Sequence, residues 1–494
     1  MNRQIKALGV IVIICYVAVF AKLNQVQVLQ AQAYSDRPDN TRQLQRDFNQ
    51  PRGDILTADG KTAATSEERR AALRYQRVYP DGELLSAVTG YYSFTLGSDG
   101  VERTYNEELA GRTPSLKLHR LSGFFSDTSS EGDVVLTVRK DLQETARDAL
   151  GDRRGSVVAL DPRTGAILAN VSAPHYDPQQ LVLDPRADEA KELARVQAYW
   201  AALNDPKSGN PLVLRGTQGL YVPGSIFKTV TVGAALDSGV ISTDRVYPDP
   251  GEIVIDGHRI VELNRPQPVK DRYTVTEGYL YSLNIVFAQV ALDLGTVRMN
   301  EYARHFGFGQ EIPFVSAPNA ADTTAVASRI SNDPNYLSDK PALADTGFGQ
   351  GELQVSPLHM ALIAATMANG GKTPEPYLVG AIRAPDGHSL VYQARPKTWL
   401  TPINGGTADQ VRKLMIASVE SGGSQRARID GLVVGGKTGT AEIGDGDSHS
   451  WFICFAGRPN QPPEIAIAVI VERGGSGSTA ALPIARSIIE AYFR

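Results

Sequence analysis

Gly224-Ser225-Ile226-Phe227-Lys228-Thr229-Val230 is the stretch on which the reading of this chain turns. The Pro223-Gly224 pair interrupts what precedes it, and an apolar helical pattern follows: Ile226, Phe227, Val230, Val232, Ala234, Ala235 and Leu236, closing at Gly239. The pattern predicts a largely buried helix with Ser225 in its first turn. Lys228 stands three residues on, so the two side chains share one helix face. Serine is a weak nucleophile and needs a base within hydrogen-bond reach. Lysine serves as that base only when burial or a nearby cation lowers its pKa from about 10.4 toward neutrality. An isolated S-x-x-K also describes a helix cap followed by a surface lysine, so the decision rests on the rest of the chain.

Two further motifs follow in order: Ser282-Leu283-Asn284, and Lys437-Thr438-Gly439 extended by Thr440. No other Ser precedes a Lys by three positions, and no other Lys-Thr-Gly occurs. An earlier S-x-N, Ser208-Gly209-Asn210, stands before a proline and reads as a turn. Each piece suits acyl transfer. Attack by Ser225 on an acyl carbon creates an oxyanion that backbone N–H groups can hold. A sheet-edge strand through Lys437–Thr440 can supply one donor, and the amide of Ser225 at a helix N-terminus the other. Gly439 lets a ligand backbone approach. Thr438 and Thr440 point to the same side of the strand and suit a carboxylate. Lys437 has the opposite phase and needs strand twist to join them; it also brings a second cation toward Lys228. Ser282 can relay a proton to a leaving amine, and Asn284 can bond an amide at both ends.

At 494 residues the chain has room for two or three domains. Its hydrophobic content of 42% and charged content of 21% are those of a globular protein. A net charge of −4 disfavours a nucleic-acid partner bound through broad positive potential. Two cysteines, Cys15 and Cys454, make no disulfide framework, and the scattered histidines form no metal-binding spacing, so neither metal nor cofactor is expected. Residues Ala7 to Ala21 carry no charge and are flanked by Arg3, Lys6 and Lys22. With Ile5 and Leu23 included and the lysines snorkelling, the run approaches the ~20 residues a bilayer requires. An Ala31-Gln32-Ala33 pattern lies too far beyond it for a signal-peptidase site. We therefore expect an uncleaved signal anchor over 1–23, its basic end cytoplasmic and everything after Lys22 outside.

Beyond the anchor, residues 24 to about 50 are polar and read as a helix-prone stalk. A hairpin is expected about Ala58-Asp59-Gly60, a strand at Val134–Val138, and a helix capped by Asp141 through Leu150. Residues 24–150 carry no catalytic signature and read as a pedestal. A hairpin at 157–171 opens the catalytic region, and three apolar strands near 432–434, 451–455 and 465–471 close it, followed by a helix from Leu482 to Phe493. A helix is expected over Val275–Leu294 and another over Pro357–Asn369. Residues 310–345 read as a surface excursion. Strands from both ends with helices between imply one sheet with helices on both faces, an α/β (α+β) arrangement.

The three motifs in this order resemble those of the serine acyl-transferases that include penicillin-binding proteins and serine β-lactamases. RGDILTADGK (52–61) resembles the N-terminal module of class B penicillin-binding proteins. GSVVALDPRTGAILANVSAPHYDP (155–178), RGTQGLYVPGSIFKTVT (215–231), GFGQGELQVSPLHMALIAATMANGG (347–371), GGKTGTAE (435–442) and HSWFICFAG (449–457) are similar to segments of their transpeptidase domain. The compact pedestal is most similar to that of the actinobacterial A-type members. The resemblance implies a penicillin-binding fold, the strands of its sheet antiparallel, on a smaller pedestal, divided at 1–23, 24–150 and 151–494. It implies a D,D-transpeptidase acting on peptidoglycan stem peptides ending in D-Ala-D-Ala, acylated by β-lactams at Ser225 and lacking glycosyltransferase activity. It gives Lys228 as base, Ser282 and Asn284 as relay and substrate contact, and Lys437, Thr438, Gly439 and Thr440 as the carboxylate and oxyanion wall. Cell-wall synthesis or division proteins are the implied partners.

Three rival readings compete with this one. Gly431 to Thr438 fits G-x-x-x-x-G-K-T, but a phosphate loop needs a strand before its first Gly and a helix after its Lys, and the flanks offer neither. A hydrolase of the same fold, a D,D-carboxypeptidase or β-lactamase, needs a carboxylate placed to activate water, and no motif supplies one. A non-catalytic β-lactam sensor calls for a cytoplasmic signalling domain. Gly347-x-Gly349-x-Gly351 reads as a loop, His449 as a loop histidine, and Trp451 and Phe452 as core strand residues.

Overall fold

A computed structural model describes residues 2–25, 47–69, 73–117, 131–314, 325–444 and 446–494. Most of the expected stalk and the middle of the 310–345 excursion lie outside the described residues. Helix α1 (Asn2–Asn24) contains the one span among the described residues long and apolar enough to cross a membrane, Ala7–Asn24, and none of that span is buried against the rest of the chain. Strands β1 (Ile55–Leu56) and β2 (Thr62–Glu68) pair antiparallel about the Asp59-Gly60 turn, followed by β3 (Tyr75–Val78). Strand β4 (Asp133–Leu136) lies parallel to β1. Helix α2 (Lys140–Leu150) follows. Arg139, not Asp141, occupies its N-cap position, and Asp141 sits in the first turn, where a carboxylate complements the helix dipole.

The region expected to be catalytic begins with β5 (Gly155–Leu160) and β6 (Ile167–Ala173), the expected hairpin. A 3₁₀ turn, Gly224–Phe227, leads into α3 (Lys228–Asp237). Strands β7 (Glu252–Ile255) and β8 (His258–Val261) form a separate hairpin. The single helix expected over Val275–Leu294 is broken in two, α4 (Val275–Leu280) and α5 (Asn284–His305), with Ser282 at φ 63 between them. Thr274 and Glu277 fix the start of α4 as a reciprocal capping box. The far end of the 310–345 stretch is no excursion: α6 (Lys340–Gly347) packs on α5 with Leu343 and Ala344 buried. Then come α7 (Pro357–Ala368), β9 (Val379–Arg383), β10 (Leu390–Gln393), α8 (Gly405–Ser421), β11 (Val433–Ala441), β12 (His449–Gly457), β13 (Ile465–Val471) and α9 (Ala481–Tyr492).

The catalytic sheet has the order β11-β12-β13-β5-β6, antiparallel throughout. Every residue of β13 is buried, which is why Ile465–Val471 reads as an unbroken apolar run. Alternation divides the strands between two cores. Cys454, Ile467 and Val469 face α2 and α9, whereas Ile453, Ala468 and Ile470 face α7. Because Lys437 and Thr438 lie inside strand β11, no helix follows them and a phosphate loop is ruled out. His449 is the first residue of β12 rather than part of a loop.

The pedestal does not close on itself within 24–150. Its sheet runs β10-β9-β4-β1-β2-β3, and its β10 and β9 come from beyond residue 378. Val379 and Ile382 pair with Leu136 and Val134. In the other direction, α2 packs beneath β6 of the catalytic sheet. Inside the pedestal, Glu102 is buried between Arg52 (2.7 Å) and Arg77 (2.6 Å).

Candidate active site

The turn that carries Ser225 is pinned on three sides. The Gly224 N–H donates to the Gly349 carbonyl (2.9 Å), Tyr221 N–H to the Val355 carbonyl (3.0 Å), and Trp451 Nε1–H to the Val222 carbonyl (2.9 Å). The Gly347–Gly351 glycines therefore serve as a buttress, with Gly349 at φ 90 and Gly351 at φ 80. From Pro223 through Thr229 only Ser225 keeps partial exposure. In a 3₁₀ turn residues i and i+3 eclipse, so Ser225 and Lys228 stand one above the other.

Lys228 is fully buried at the start of α3. Its Nζ donates to the Ser282 carbonyl (2.6 Å) and to Asn284 Oδ1 (2.8 Å), and lies 3.3 Å from Ser282 Oγ. A neutral amine has two N–H bonds and one lone pair. The first two contacts use the N–H bonds and leave the lone pair free to take a proton from a hydroxyl. Burial holds the Lys228 pKa well below its usual value, and Lys437 pushes the same way against the opposing pull of Glu262. Lys437, 1% exposed, is lowered to about 7 by burial. Its Nζ donates to Ser282 Oγ (2.8 Å) and lies 3.2 Å from the Thr438 carbonyl. Ser282 Oγ thus bridges two buried amines, a position reached only because the chain turns left-handed at Ser282 between α4 and α5.

Strand β11 is the edge of the catalytic sheet, and its free edge runs beside the Ser225 turn. A Cβ on Gly224 would meet the Thr440 carbonyl oxygen at 2.6 Å, and one on Gly439 would meet the Pro223 carbonyl oxygen at 2.9 Å, so both glycines are required by close backbone approach. The N–H and C=O of one strand residue leave on the same side. Thr440, whose carbonyl faces Gly224, accordingly presents its N–H along that edge too. The Thr438 and Thr440 side chains reach solvent, while Lys437 points away from them toward Ser282. The strand twist that would bring Lys437 to the threonine hydroxyls does not occur.

The structure thus links Lys228, Ser282, Asn284 and Lys437 by hydrogen bonds, sets Ser225 on the same turn as Lys228, and places Gly439 and Thr440 against that turn. Three residues at the site carry no signal in a motif reading. Tyr279 lies under Lys437 and Phe287 beside Lys228, with Nζ 5.7 Å and 5.5 Å from the respective ring centroids. Glu262 is buried near Lys228 and bonded to the start of α5. Its burial depends on how the β7–β8 hairpin docks, which no local pattern encodes. Ser208-Gly209-Asn210 is a turn, with Gly209 at φ 77 and Asn210 at φ 57. Among the described residues no group of His, Cys, Asp and Glu is placed to hold a metal ion.

Comparison with known proteins shows the family to which this fold belongs. The family described as the penicillin binding protein transpeptidase domain matches residues 155–490, and the penicillin binding protein A dimerisation domain matches residues 52–135. The chain is 33% identical to the peptidoglycan D,D-transpeptidase PbpA of Mycolicibacterium smegmatis, over 100% of this chain and 99% of that one. It is 34% identical to the Mycobacterium tuberculosis protein of the same name, over 99% of each. The imipenem acyl-enzyme complex of M. tuberculosis penicillin-binding protein A superposes with a TM-score of 0.81 at 32% identity, covering 91% of this chain and 100% of the other.

Proposed function

This chain belongs to the penicillin-binding protein transpeptidase family, and from that premise we propose how its residues carry the reaction. It is a serine-type peptidoglycan D,D-transpeptidase that forms acyl-enzymes with β-lactams. The observation that carries the residue assignment is the chain Lys228–Ser282–Lys437, standing one turn from a partly exposed Ser225. Ser225 Oγ attacks the carbonyl carbon of the penultimate D-Ala, and Lys228 takes the hydroxyl proton. The amides of Ser225 and Thr440 hold the oxyanion. Ser282 passes a proton, shared with Lys437, to the departing D-Ala amine as the peptide bond breaks. Asn284 and the Thr438–Thr440 edge hold the substrate amide and terminal carboxylate. An acceptor amine on a second stem peptide then attacks the acyl carbon and releases Ser225.

We read residues 1–23 as a membrane anchor with its N-terminus cytoplasmic, 24–150 as the pedestal, and 151–494 as the transpeptidase domain outside the membrane. Strands β9 and β10 join the last two. The pedestal is the surface on which other cell-wall synthesis or division proteins dock. Hydrolysis is the lesser reading. Glu262, a buried carboxylate whose charge acts on Lys228, has both oxygens engaged by backbone N–H groups.

The test is covalent labelling by a fluorescent penicillin. Ser225→Ala abolishes it while leaving the melting temperature nearly unchanged; retained stoichiometric labelling would sink the assignment. Mass spectrometry with a D-Ala-D-Ala substrate and an acceptor amine separates transfer from hydrolysis.

A further inference from the structure

Glu262 follows β8 in a hairpin that buries Ile255 and Ile260 and leaves most of its other residues exposed. Val261 is 39% exposed and Leu263 79%, yet the carboxylate between them is 6% exposed. That inverts the usual partition, in which the apolar side chains go inside and the acid stays out. The reason lies in the break between α4 and α5. Leu283 occupies the N-cap of α5 and has no side chain able to cap it. Glu262 does so from outside the helix: the Ile285 N–H donates to Oε2 (3.0 Å), and the Asn264 N–H donates to Oε1 (3.1 Å). Ile285 immediately follows Asn284, whose Oδ1 accepts from Lys228, and Ser282 lies just beyond.

We infer that Glu262 is a positioning residue for acyl transfer: its carboxylate caps α5 from the β7–β8 hairpin, fixes the Ser282–Asn284 kink against Lys228, and supplies the negative charge that Lys228 faces. The inference rests on the reading of Lys228 as the base. The charged groups around this pair are few. Lys228 faces Lys437 from β11 and Glu262 from the end of β8. Glu262 in turn faces Asp249, which is fully buried, accepts from Gly251 N–H (2.9 Å) and stands 3.7 Å from Arg265 Nε. Tyr279 and Phe287 contribute rings without charge. The capping bonds set where Lys228's acceptors stand, and the charge opposes burial and Lys437, both of which drive Lys228 toward the neutral amine.

Glu262→Gln separates the two contributions. Its amide can accept one of the two N–H bonds but turns its own N–H toward the other, so the kink loosens and the maximal acylation rate falls by roughly tenfold. Loss of the negative charge removes the one influence raising the Lys228 pKa, so the acid limb of the pH–rate profile moves to lower pH by roughly one unit. A purely structural defect lowers the rate and leaves the limb in place.

The measurement is the second-order rate of labelling by a fluorescent penicillin from pH 5 to 9, on the full chain in detergent. Unaltered chain and Ser225→Ala run alongside. An unaltered chain that is not acylated, or acylation that survives Ser225→Ala, counts against the functional reading itself. Normal labelling of the unaltered chain with an unmoved limb in Glu262→Gln overturns only the present inference. Should Glu262→Gln fail to fold, Glu262→Asp decides. It keeps the charge but withdraws it from Lys228, so labelling slows severalfold and the acid limb moves to lower pH by less than in Glu262→Gln, whereas a slower rate with an unmoved limb would also overturn the proposal. An unaltered rate across the range would overturn the proposal.

Discussion

Asn284 Oδ1 lies 2.8 Å from Lys228 Nζ, and it is a neutral oxygen. That neutrality matters because, in the mechanism we propose, Lys228 is unprotonated when Ser225 attacks. Asn284→Asp keeps the shape and adds a charge. A carboxylate at that distance favours the ammonium form and raises the Lys228 pKa by about 1–3 units. We expect the acid limb of penicillin acylation to move to higher pH, with labelling on the acid side of the limb falling about tenfold for every pH unit it moves. The measurement is the same pH–rate profile used for Glu262→Gln, and the two variants should move the limb in opposite directions.

Gly224 sits at φ 58, and a side chain there would press on the Thr440 carbonyl at 2.6 Å. Gly224→Ala therefore costs about 1–3 kcal/mol in backbone strain and also pushes the Ser225 turn off the sheet edge. Gly239 offers the control: its φ is 70, but nothing lies within 4 Å of its Cβ position. We expect both Ala variants to melt at lower temperature, and only Gly224→Ala to lose acylation, by tenfold or more in second-order rate. Equal labelling of the two variants would show that the Gly224–Thr440 approach does not set the site.

The catalytic sheet and the three motifs are legible in the sequence for physical reasons. Ile465–Val471 is buried on both faces, and Lys437-Thr438-Gly439 and Ser225-x-x-Lys228 are local spacings. What escapes a linear reading is whatever depends on distant docking. Val379–Arg383 joins the pedestal sheet through β4, which no local pattern announces. The break at Ser282 is hidden because apolar periodicity runs on through Tyr279, Leu283 and Val286, while the left-handed turn is stabilised by bonds from Lys228 and Lys437. Glu262 looks like an exposed hairpin acid until the hairpin meets α5. Strand phase puts Lys437 opposite Thr438 and Thr440, and it stays there, directed to Ser282.

Lys437 also leaves a mark on stability. Its folded-state pKa is about 7, against about 10.4 in an unfolded chain. Between those values the unfolded chain binds more protons, so stability rises with pH; below pH 7 both states carry the proton and the slope from this group vanishes. Lys228, also lowered, adds in the same direction. Cys454 and the buried Tyr279, both raised by burial, oppose the trend at higher pH, so the clean window runs from about pH 7 to 9. Across it Lys437 alone contributes on the order of 2 kcal/mol. The thermal midpoint of the full chain should therefore climb from pH 7 to 9. Lys437→Met, which fills the same space without a proton to release, should climb less steeply. It should also match or exceed the parent at pH 7, because a buried cation is replaced by apolar volume. A parent midpoint that falls over this window would mean that Lys437 keeps its charge in the folded chain, and that Ser282 stands beside an ammonium rather than an amine.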